Sequence, residues 1–371
     1  MFTADLEPDR HGYCIGDKLF ACSRPSLIEN VKSDKKKLIS LVWTPDTDNL
    51  VAPEEIAWLI DALHTREKSY YQQAFKTALF NVLIWGWLFY DNLTEETAVR
   101  QIMLFNWLAI AVIPAIEHGW GLYQCRIKTQ EVLIQRSQQN RYSAWVKNSS
   151  APWSKLLTGC ISLVAAVQVI VFFIPNINSS IETAGVVKPL IWKGEIWRLL
   201  TGTLLHGNLI HFMFNIFAIY VLSKLVEITT HRIYVPIVFI FTALCGSIAS
   251  LLLIPDVTSV GASGGIMGLL GFLFVTARNN QHLFPQSHQK MLLKGAIYTL
   301  FAGLLAYRVI DNPAHIGGFL GGILLAWLLI RNRQLTIPIK QVSRPLEIIG
   351  IISANAIAMT ALLAIFQMIQ L

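Results

Sequence analysis

The sequence predicts an all-α polytopic membrane protein, from its composition and from the recurrence of long apolar runs. Of the 371 residues, 54% are hydrophobic and only 14% are charged, whereas soluble domains carry about 25% charged residues. Crossing the hydrocarbon core takes about 20 apolar residues, and the chain offers nine candidate spans. They lie near 74–90, 101–117, 156–174, 207–225, 233–254, 259–277, 291–307, 314–330 and 347–370.

The first two candidate spans are the least regular. The run at 74–90 is short and contains Lys76, and the run at 101–117 is interrupted by Pro114. Residues 73–120 are therefore expected to form a hydrophobic helical hairpin that either spans the bilayer or lies at its interface.

Residues 1–72 are polar and of mixed charge, which predicts a small N-terminal domain outside the bilayer. Leu38–Trp43 is a candidate strand, and Pro53 favours the start of a helix. After it, apolar residues at helical spacing give one face that we expect to pack internally. These residues are Ile56, Leu59, Ile60 and Leu63. No basic segment precedes an apolar stretch at the start, so no cleavable signal peptide is expected.

The formal charge of +7 comes from basic residues in short segments between apolar runs. Such segments face the cytoplasm under the positive-inside rule, so the basicity indicates topology and no nucleic-acid partner is expected. The residues are Arg126, Lys128, Arg136, Arg141 and Lys147 before the third span, and Arg331, Arg333, Lys340 and Arg344 after the eighth. Alternating crossings then place the N-terminus in the cytoplasm. They place the 175–206 loop and the starts of the 259–277 and 314–330 helices on the outer side.

A serine opens one predicted helix and a histidine opens another. Ser263 lies in the run GASGG at 261–265, and His315 begins the run HIGGFLGG at 315–322. Glycines spaced i, i+4 let the backbones of two helices approach closely; they are Gly264 and Gly268 on one helix and Gly318 and Gly322 on the other. Close approach would let the imidazole act as the base that a serine nucleophile needs. The alternative is a packing pair without chemistry.

A third polar cluster lies at the beginning of the 207–225 span. It contains His206, His211 and Asn215, of which the last two are one helical turn apart on one face. Histidine inside a membrane span is costly and usually marks a site. Together with the Ser263 backbone N–H, these groups are candidate donors to an oxyanion. Interhelical hydrogen bonds are the alternative role for each of them.

These three motifs occur in the order found in rhomboid proteases, and the chain resembles that family over residues 155–331. The shared patterns are G-x-S-G, A-H-x-x-G-x-x-x-G and H-x-x-x-x-H-x-x-x-N. The resemblance implies a six-helix core with additional hydrophobic helices at both ends, with Ser263 as the nucleophile and His315 as its base. It implies that His206 and Asn215 act on the oxyanion side and that His211 lines the same polar cavity.

The resemblance also implies structural roles around this site. Trp197 and Arg198, preceded by Glu195, resemble the family's Trp-Arg loop signature. Four glycines are expected to support the two motif helices; they are Gly261, Gly264, Gly318 and Gly322. The implied domain order is an N-terminal cytoplasmic domain (1–72), the hairpin (73–120), a basic cytoplasmic linker (121–154), the catalytic core (155–331), and a linker with an extra membrane helix (332–371).

The chain departs from the family pattern at Met267, where many members place an aromatic residue that stacks on the histidine. A thioether still contacts ring edges, so the departure affects the orientation of His315 more than the reaction type. Asp311, four residues before His315, is predicted to be a solvated loop charge, with an orienting role as the alternative. A Ser-His dyad is therefore favoured over a triad.

The resemblance implies an intramembrane serine protease that cleaves peptide bonds in or near transmembrane segments through an acyl-enzyme. Its expected partners are transmembrane protein substrates and the lipid bilayer, with no metal and no organic cofactor. The five cysteines form no CxxC pair, so neither a zinc site nor a disulfide framework is expected. Two alternatives remain: a catalytically impaired rhomboid-like protein that binds membrane segments, and a transporter or proton pathway that uses the intramembrane histidines.

Overall fold

The chain folds into two compact units, Met1–Asn148 and Ser149–Leu371. A computed structural model describes residues 10–15, 18–34, 38–47, 49–95, 97–125, 142–143, 145–172, 177–281, 284–305, 307, 310–330 and 342–370. Most of the basic residues on which the predicted orientation rests, including Arg126 and Arg331, lie outside these ranges. Each unit is described by itself below.

The first unit begins with a three-stranded antiparallel sheet in the order β2-β1-β3. The strands are β1 (His11–Ile15), β2 (Lys18–Cys22) and β3 (Ile39–Trp43), and helix α1 (Arg24–Ser33) lies between the last two in sequence. Leu27 and Val31 of α1 pack with Val42 in a buried apolar cluster. The predicted strand at Leu38–Trp43 is thus confirmed, and the two strands before it are an addition to the predicted helical fold.

The apolar face predicted after Pro53 packs internally, as expected. Ile56, Leu59 and Leu63 all belong to the buried cluster of the first unit. Two short 3₁₀ turns, Pro53–Glu55 and Ala57–Leu59, precede helix α2 (Ile60–Asp91). Continuous α-helix therefore begins later than the sequence indicates.

Helix α2 runs through the predicted domain boundary at residue 72 because its first turns belong to the core of the N-terminal domain. Arg66 is 1% exposed, and its guanidinium lies 3.5 Å from Glu54, 3.6 Å from Glu67 and 3.9 Å from Asp34. Buried charges are tolerated when they are paired in this way. The ion-pair cluster fixes the start of α2 to the domain, and the same helix continues into the predicted hairpin.

The predicted hairpin consists of the second half of α2 and a helical return segment. That segment comprises α3 (Thr97–Asn106), a π-helical stretch (Trp107–Val112) and α4 (Ile113–Gln124). The Trp107 indole donates to the carbonyl of Val82 at 3.0 Å and stacks on Phe89 with ring centroids 5.8 Å apart. Large apolar side chains of α2 remain exposed, among them Leu83 and Trp87, which fits contact with lipid.

Within the described residues of the second unit, the main elements are ten α-helices. They are α5 (Pro152–Phe172), α6 (Ile177–Ala184), α7 (Lys188–Trp192), α8 (Arg198–Thr201), α9 (Leu209–Thr229), α10 (Tyr234–Leu253), α11 (Ser263–Asn279), α12 (Gln286–Leu305), α13 (Asn312–Ile330) and α14 (Arg344–Ile369). Each predicted span between 156 and 370 coincides with one of the long helices to within a few residues. The all-α polytopic membrane fold is confirmed.

Five of the described helices are long and apolar enough to cross a membrane: α5, α9, α10, α13 and α14. The other predicted spans fall on helices that are shorter or more polar. Helix α11 has 17 residues, α12 begins with the polar run QSHQK at 286–290, and the hairpin helices contain polar residues or a π-helical interruption.

Helices α11 and α13 touch backbone to backbone through glycines. A methyl group built at Gly318 would lie 2.0 Å from the carbonyl oxygen of Gly264, and one at Gly322 would lie 2.0 Å from that of Gly268. Such distances are impossible for a side chain, so these positions accept only glycine without a shift of the helices. The contact brings the first turns of the two helices, which carry Ser263 and His315, to one crossing.

Helix α9, which carries the third polar cluster, is fixed to α5 at its far end. Glu227 accepts hydrogen bonds from the backbone N–H groups of Trp153 and Ser154 at 3.2 and 2.8 Å, and from the Ser154 hydroxyl at 2.7 Å. A carboxylate at a helix N-terminus satisfies free N–H groups and interacts favourably with the helix dipole. This contact sets the position of α9 in the bundle.

We predict that Gly322→Ala lowers the melting temperature in detergent, because the added methyl group meets backbone that cannot move alone. Overpacking of this kind costs about 1–3 kcal/mol, more than the gain of about 1 kcal/mol from replacing glycine by alanine in a helix. Gly159→Ala in α5 is the matched control, since no atom lies within 4 Å of its added methyl group. Equal melting temperatures for the two variants would contradict the glycine contact.

Candidate active site

Ser263 is held at the start of α11 by a turn that requires glycine. Gly261 has φ = +121°, a conformation that residues with a side chain rarely adopt, and its N–H donates to the carbonyl of Gly202 at 2.9 Å. Ser263 is the first residue of the helix, where backbone N–H groups have no partner inside the helix. The hydroxyl and free N–H groups thus occur together at this end of α11.

His315 lies in the first turn of α13, directly after the residue that packs on α11. The carbonyl oxygen of Ala314 would lie 3.4 Å from a methyl group at Gly264 and 2.7 Å from one at Gly246 of α10. The backbone that follows Ser263 therefore touches the backbone that precedes His315. Because the two residues flank one contact, the structure brings the predicted nucleophile and base to the same helix crossing.

His211 and Asn215 approach the same turn from α9. A methyl group at Gly261 would lie 2.8 Å from Nε2 of His211 and 3.5 Å from Nδ2 of Asn215. Asn208 caps α9 by accepting a hydrogen bond from the His211 N–H at 2.8 Å. The side chains of α9 that are one turn apart thus face the residues just before Ser263.

His206 contacts His211 and precedes the helix that carries it. Its ring contacts those of His211 and Phe212, with both centroid distances at 5.3 Å. Its backbone is held by Gln168 of α5, whose amide donates to the His206 carbonyl at 2.8 Å and accepts from the His206 N–H at 3.1 Å. Gln168 was not predicted from the sequence, although a glutamine inside a membrane span is a signal for a polar contact.

Burial and the neighbouring His211 lower the pKa of His206 to about 3. The ring is therefore neutral at physiological pH, with one N–H donor and one acceptor nitrogen. A neutral imidazole can support the position and hydrogen bonding of its neighbour without adding charge to the site.

Several buried polar atoms at this site lack a hydrogen-bond partner within the part of the chain that the structure describes. They are both ring nitrogens of His206, Nδ2 of Asn215 and Nδ1 of His315. An unsatisfied buried polar group costs about 1–3 kcal/mol, and native proteins contain few of them. Their concentration at one site indicates groups that are kept for an incoming ligand or reacting atom.

The loop between α5 and α9 is fixed by Arg198. Its guanidinium pairs with Glu195 at 2.7 Å, donates to the carbonyls of Glu182 and Gly185 at 3.0 and 3.2 Å, and covers the Trp197 ring at 4.6 Å. These contacts tie α8 to the end of α6. They give Arg198 and Trp197 a structural role in the loop.

Asp311 is part of the site region, so its interpretation as a solvated loop charge is wrong. Its Oδ1 accepts the Ala314 N–H at 2.9 Å and its Oδ2 accepts the Ser250 hydroxyl. It lines a small cavity together with Ser263 and Ser259. The sequence pattern D-x-x-A before a helical run is typical of an N-cap and was the signal for this role.

The site therefore combines a hydroxyl at a helix N-terminus, an imidazole on the adjoining helix, and amide and imidazole donors from a third helix. A serine activated by an adjacent base is a nucleophile, and preorganised donors stabilise an oxyanion. Within the described ranges, no three His, Cys, Asp or Glu residues converge to hold a metal ion. The residues present fit acyl transfer.

Comparison with known proteins places the second unit in a family. Residues 193–332 match the Rhomboid domain. This range includes His206, His211, Asn215, Ser263 and His315, and Gln168 precedes it. The match contains all three sequence motifs and the helices α9, α11 and α13 that carry them.

Curated relatives give the same result. The chain is 32% identical over 168 residues to "RHOMBOID-like protein 7" of Arabidopsis thaliana, which covers 45% of this chain and 54% of the relative. It is 33% identical over 202 residues to "Rhomboid protease GluP" of Bacillus subtilis, covering 53% and 38%. The aligned part thus spans about half or less of these two relatives. The "Putative rhomboid protease YdcA" of the same bacterium is 32% identical over 144 residues, 38% of this chain and 71% of that protein. The shared motifs and this coverage identify the chain as a member of the rhomboid family.

Proposed function

We propose that the protein is an intramembrane serine protease that hydrolyses peptide bonds in or near transmembrane segments. The observation that carries this proposal is the contact between Gly264 and Ala314, because it joins the backbone beside Ser263 to the backbone beside His315. Two of the three relatives named above are called proteases. Their names support the reaction type, and the geometry supports the residues assigned to it.

In the proposed mechanism, the Ser263 hydroxyl attacks the scissile carbonyl carbon while His315 takes the hydroxyl proton. The protonated imidazole passes this proton to the leaving amine as the C–N bond breaks, which leaves an ester on Ser263. Water then attacks the ester with His315 as base again. The carboxylate product leaves and the free hydroxyl is restored.

The oxyanion donors are assigned to His211, Asn215 and the Ser263 backbone N–H. The sequence resemblance placed His206 with Asn215 in this role and left His211 as a cavity residue. The short approach of His211 and Asn215 to Gly261 favours these two as the donors. His206 then acts by supporting the His211 ring, which it contacts edge to face.

Substrates are proposed to be membrane proteins whose transmembrane helix unwinds locally, because a hydrogen-bonded helix hides its carbonyl groups from attack. The ends of α9, α11 and α13 that carry the site are proposed to open to the outer side of the membrane. The lipid bilayer contacts the exposed apolar side chains, such as Leu252 and Leu328. The N-terminal unit is proposed to face the cytoplasm.

We predict that Ser263→Ala and His315→Ala each abolish cleavage of a model transmembrane substrate in proteoliposomes. A nucleophile and its base act as a unit, so the double variant should be no worse than either single variant. Expression level and melting temperature are the controls for folding. Substantial turnover by Ser263→Ala would refute the proposed function, and turnover by His315→Ala would refute the dyad.

The oxyanion assignment predicts a graded loss. Asn215→Ala and His211→Ala should each lower turnover by about a hundredfold to a thousandfold, the usual cost of one oxyanion donor, whereas His206→Ala should have a smaller effect. Ser263 should still react with a small fluorophosphonate in all three. Turnover and melting temperature are measured on the same variants; losses that simply follow the melting temperature would reduce these residues to structural roles.

Single cysteines test the proposed orientation in a variant that lacks the native cysteines. A cysteine in place of Asn148, within the basic linker, should react with a membrane-impermeant maleimide only after the membrane is permeabilised. A cysteine at Trp192, in the loop before α9, should react from outside. The reverse pattern would invert the topology and move the site to the cytoplasmic face.

A further inference from the structure

A fully buried lysine lies close to the site but takes no part in the proposed chemistry. Lys188 begins the short helix α7 and has 0% of its surface exposed. Its ammonium donates to the carbonyl of Ile254 at 2.8 Å and to the Ser259 hydroxyl at 3.2 Å. Lysine is almost never fully buried unless its charge is paired, so this arrangement requires a negative partner.

Two negative charges act on Lys188, those of Asp311 and Asp256, and the structure connects Asp311 to Lys188 through two hydroxyl groups. Oδ2 of Asp311 accepts the Ser250 hydroxyl, and the Ser250 and Ser259 hydroxyl oxygens are 3.1 Å apart. A serine has one hydroxyl proton. Ser250 donates its one proton to Asp311, so the Ser259 hydroxyl must donate to the Ser250 oxygen. The Ser259 oxygen in turn accepts a hydrogen bond from the Lys188 ammonium. Every hydrogen bond then runs in one direction, from the ammonium to the carboxylate.

Both charges also complement helix ends. Ile254 follows the last residue of α10, so Lys188 lies at the negative end of that helix. Asp311 precedes the first residue of α13 and caps its positive end. A cation near a helix C-terminus and an anion near an N-terminus are each stabilising. Burial lowers the pKa of the Lys188 ammonium, and the charges of Asp311 and Asp256 act in the opposite direction.

The chain of hydrogen bonds reaches the segment that leads into each motif helix. Ser259 lies four residues before Ser263, and Asp311 lies four residues before His315. Ser259 is also paired with Val186 through two backbone hydrogen bonds of 2.9 and 3.3 Å, which ties it to the segment that contains Lys188. A displacement of Lys188 or of Asp311 therefore changes how the first turns of α11 and α13 pack against each other.

We propose that Lys188, Ser259, Ser250 and Asp311 form one charge-terminated hydrogen-bond chain that positions His315 against Ser263. Lys188 and Asp311 are then positioning residues for the hydrolysis, and this inference rests on the proposed function. The pair of opposite charges is essential to this role. The N-cap of α13, in which Asp311 accepts the Ala314 N–H, needs only an acceptor oxygen, whereas the direction of the hydrogen bonds between Lys188 and Asp311 needs both charges.

The test distinguishes three effects of the substitutions: loss of a charge, loss of the N-cap of α13, and loss of folded protein. Asp311→Asn keeps an acceptor for Ala314 but removes the charge, Lys188→Met removes the other charge, and the double variant removes both. Ser250→Ala interrupts the chain and keeps both charges. Ser353→Ala makes the same chemical change at a buried position of α14, away from the cavity, and is the matched control.

Purified variants are treated with a fluorophosphonate, and the rate constant and final extent of Ser263 labelling are recorded together with the melting temperature. Asp311→Asn, Lys188→Met and Ser250→Ala should each label about tenfold more slowly, a coupling typical of residues in one network. The double variant should label faster than Asp311→Asn or Lys188→Met. Ser353→Ala should match the wild type. A purely structural role would lower the final extent through loss of folded protein and leave the rate constant unchanged.

The outcomes distinguish this inference from the function on which it rests. Labelling of wild type that persists in Ser263→Ala, or no labelling of wild type, would refute the proposed function. Normal labelling of wild type with unchanged rate constants in Asp311→Asn, Lys188→Met and Ser250→Ala would overturn the chain alone. If the decreases in labelling rate of the two single charge variants simply add in the double variant, the two charges do not act as a pair. Should the charge variants fail to fold, Ser250→Ala and Ser259→Ala still decide, because both keep the charges.

Discussion

The backbone contact between α11 and α13 is the constraint on which the rest of the site depends. Helices in a bilayer gain no hydrophobic energy from association, so close packing of small residues must hold them together. Glycines at 264, 268, 318 and 322 provide that packing, and a methyl group at 318 or 322 would overlap a carbonyl oxygen. Removing side chains from the interface brings the first turns of the two helices, which carry Ser263 and His315, to one crossing.

This contact has a cost, because it gathers polar groups inside a largely apolar bundle. The structure limits the cost by fixing the backbone around them: Gln168 holds both polar backbone atoms of His206, and Arg198 holds the preceding loop. The neutral state of His206 avoids an extra buried charge. The atoms that stay unsatisfied lie on His206, Asn215 and His315, around the turn that contains Gly261. A rigid support around a few unsatisfied donors is the preorganisation that an oxyanion site needs.

Much of the fold of the second unit and of the candidate site was predictable from local sequence. The apolar runs gave the long helices of the second unit to within a few residues, and the i, i+4 glycines indicated the faces of α11 and α13. The spacing of His211 and Asn215 placed both on one face of α9. His206 precedes that helix, so helical periodicity gave no information on the direction of its ring, and its contact with the His211 ring required the fold.

The remainder depends on contacts between residues distant in sequence. Lys188 and Asp311 are separated by 123 positions, and neither lies in a pattern that indicates the other. The extent of α2 was missed because Arg66 pairs with Asp34 and Glu54, which lie outside the helix and are distant in sequence. Strand β1 contains a glycine and strand β2 has no β-branched residue. Unlike β3, these two segments lack a strand pattern that can be recognised without their partners.

The central claim, that Ser263 at the α11–α13 crossing is the reactive residue, is tested most directly by the structure of the fluorophosphonate adduct. We expect the phosphorus to be bonded to Oγ of Ser263, with the phosphonyl oxygen within hydrogen-bond distance of the Ser263 N–H, His211 and Asn215. The His315 ring should lie next to Oγ. An adduct on another residue, or a phosphonyl oxygen directed away from His211 and Asn215, would contradict the account.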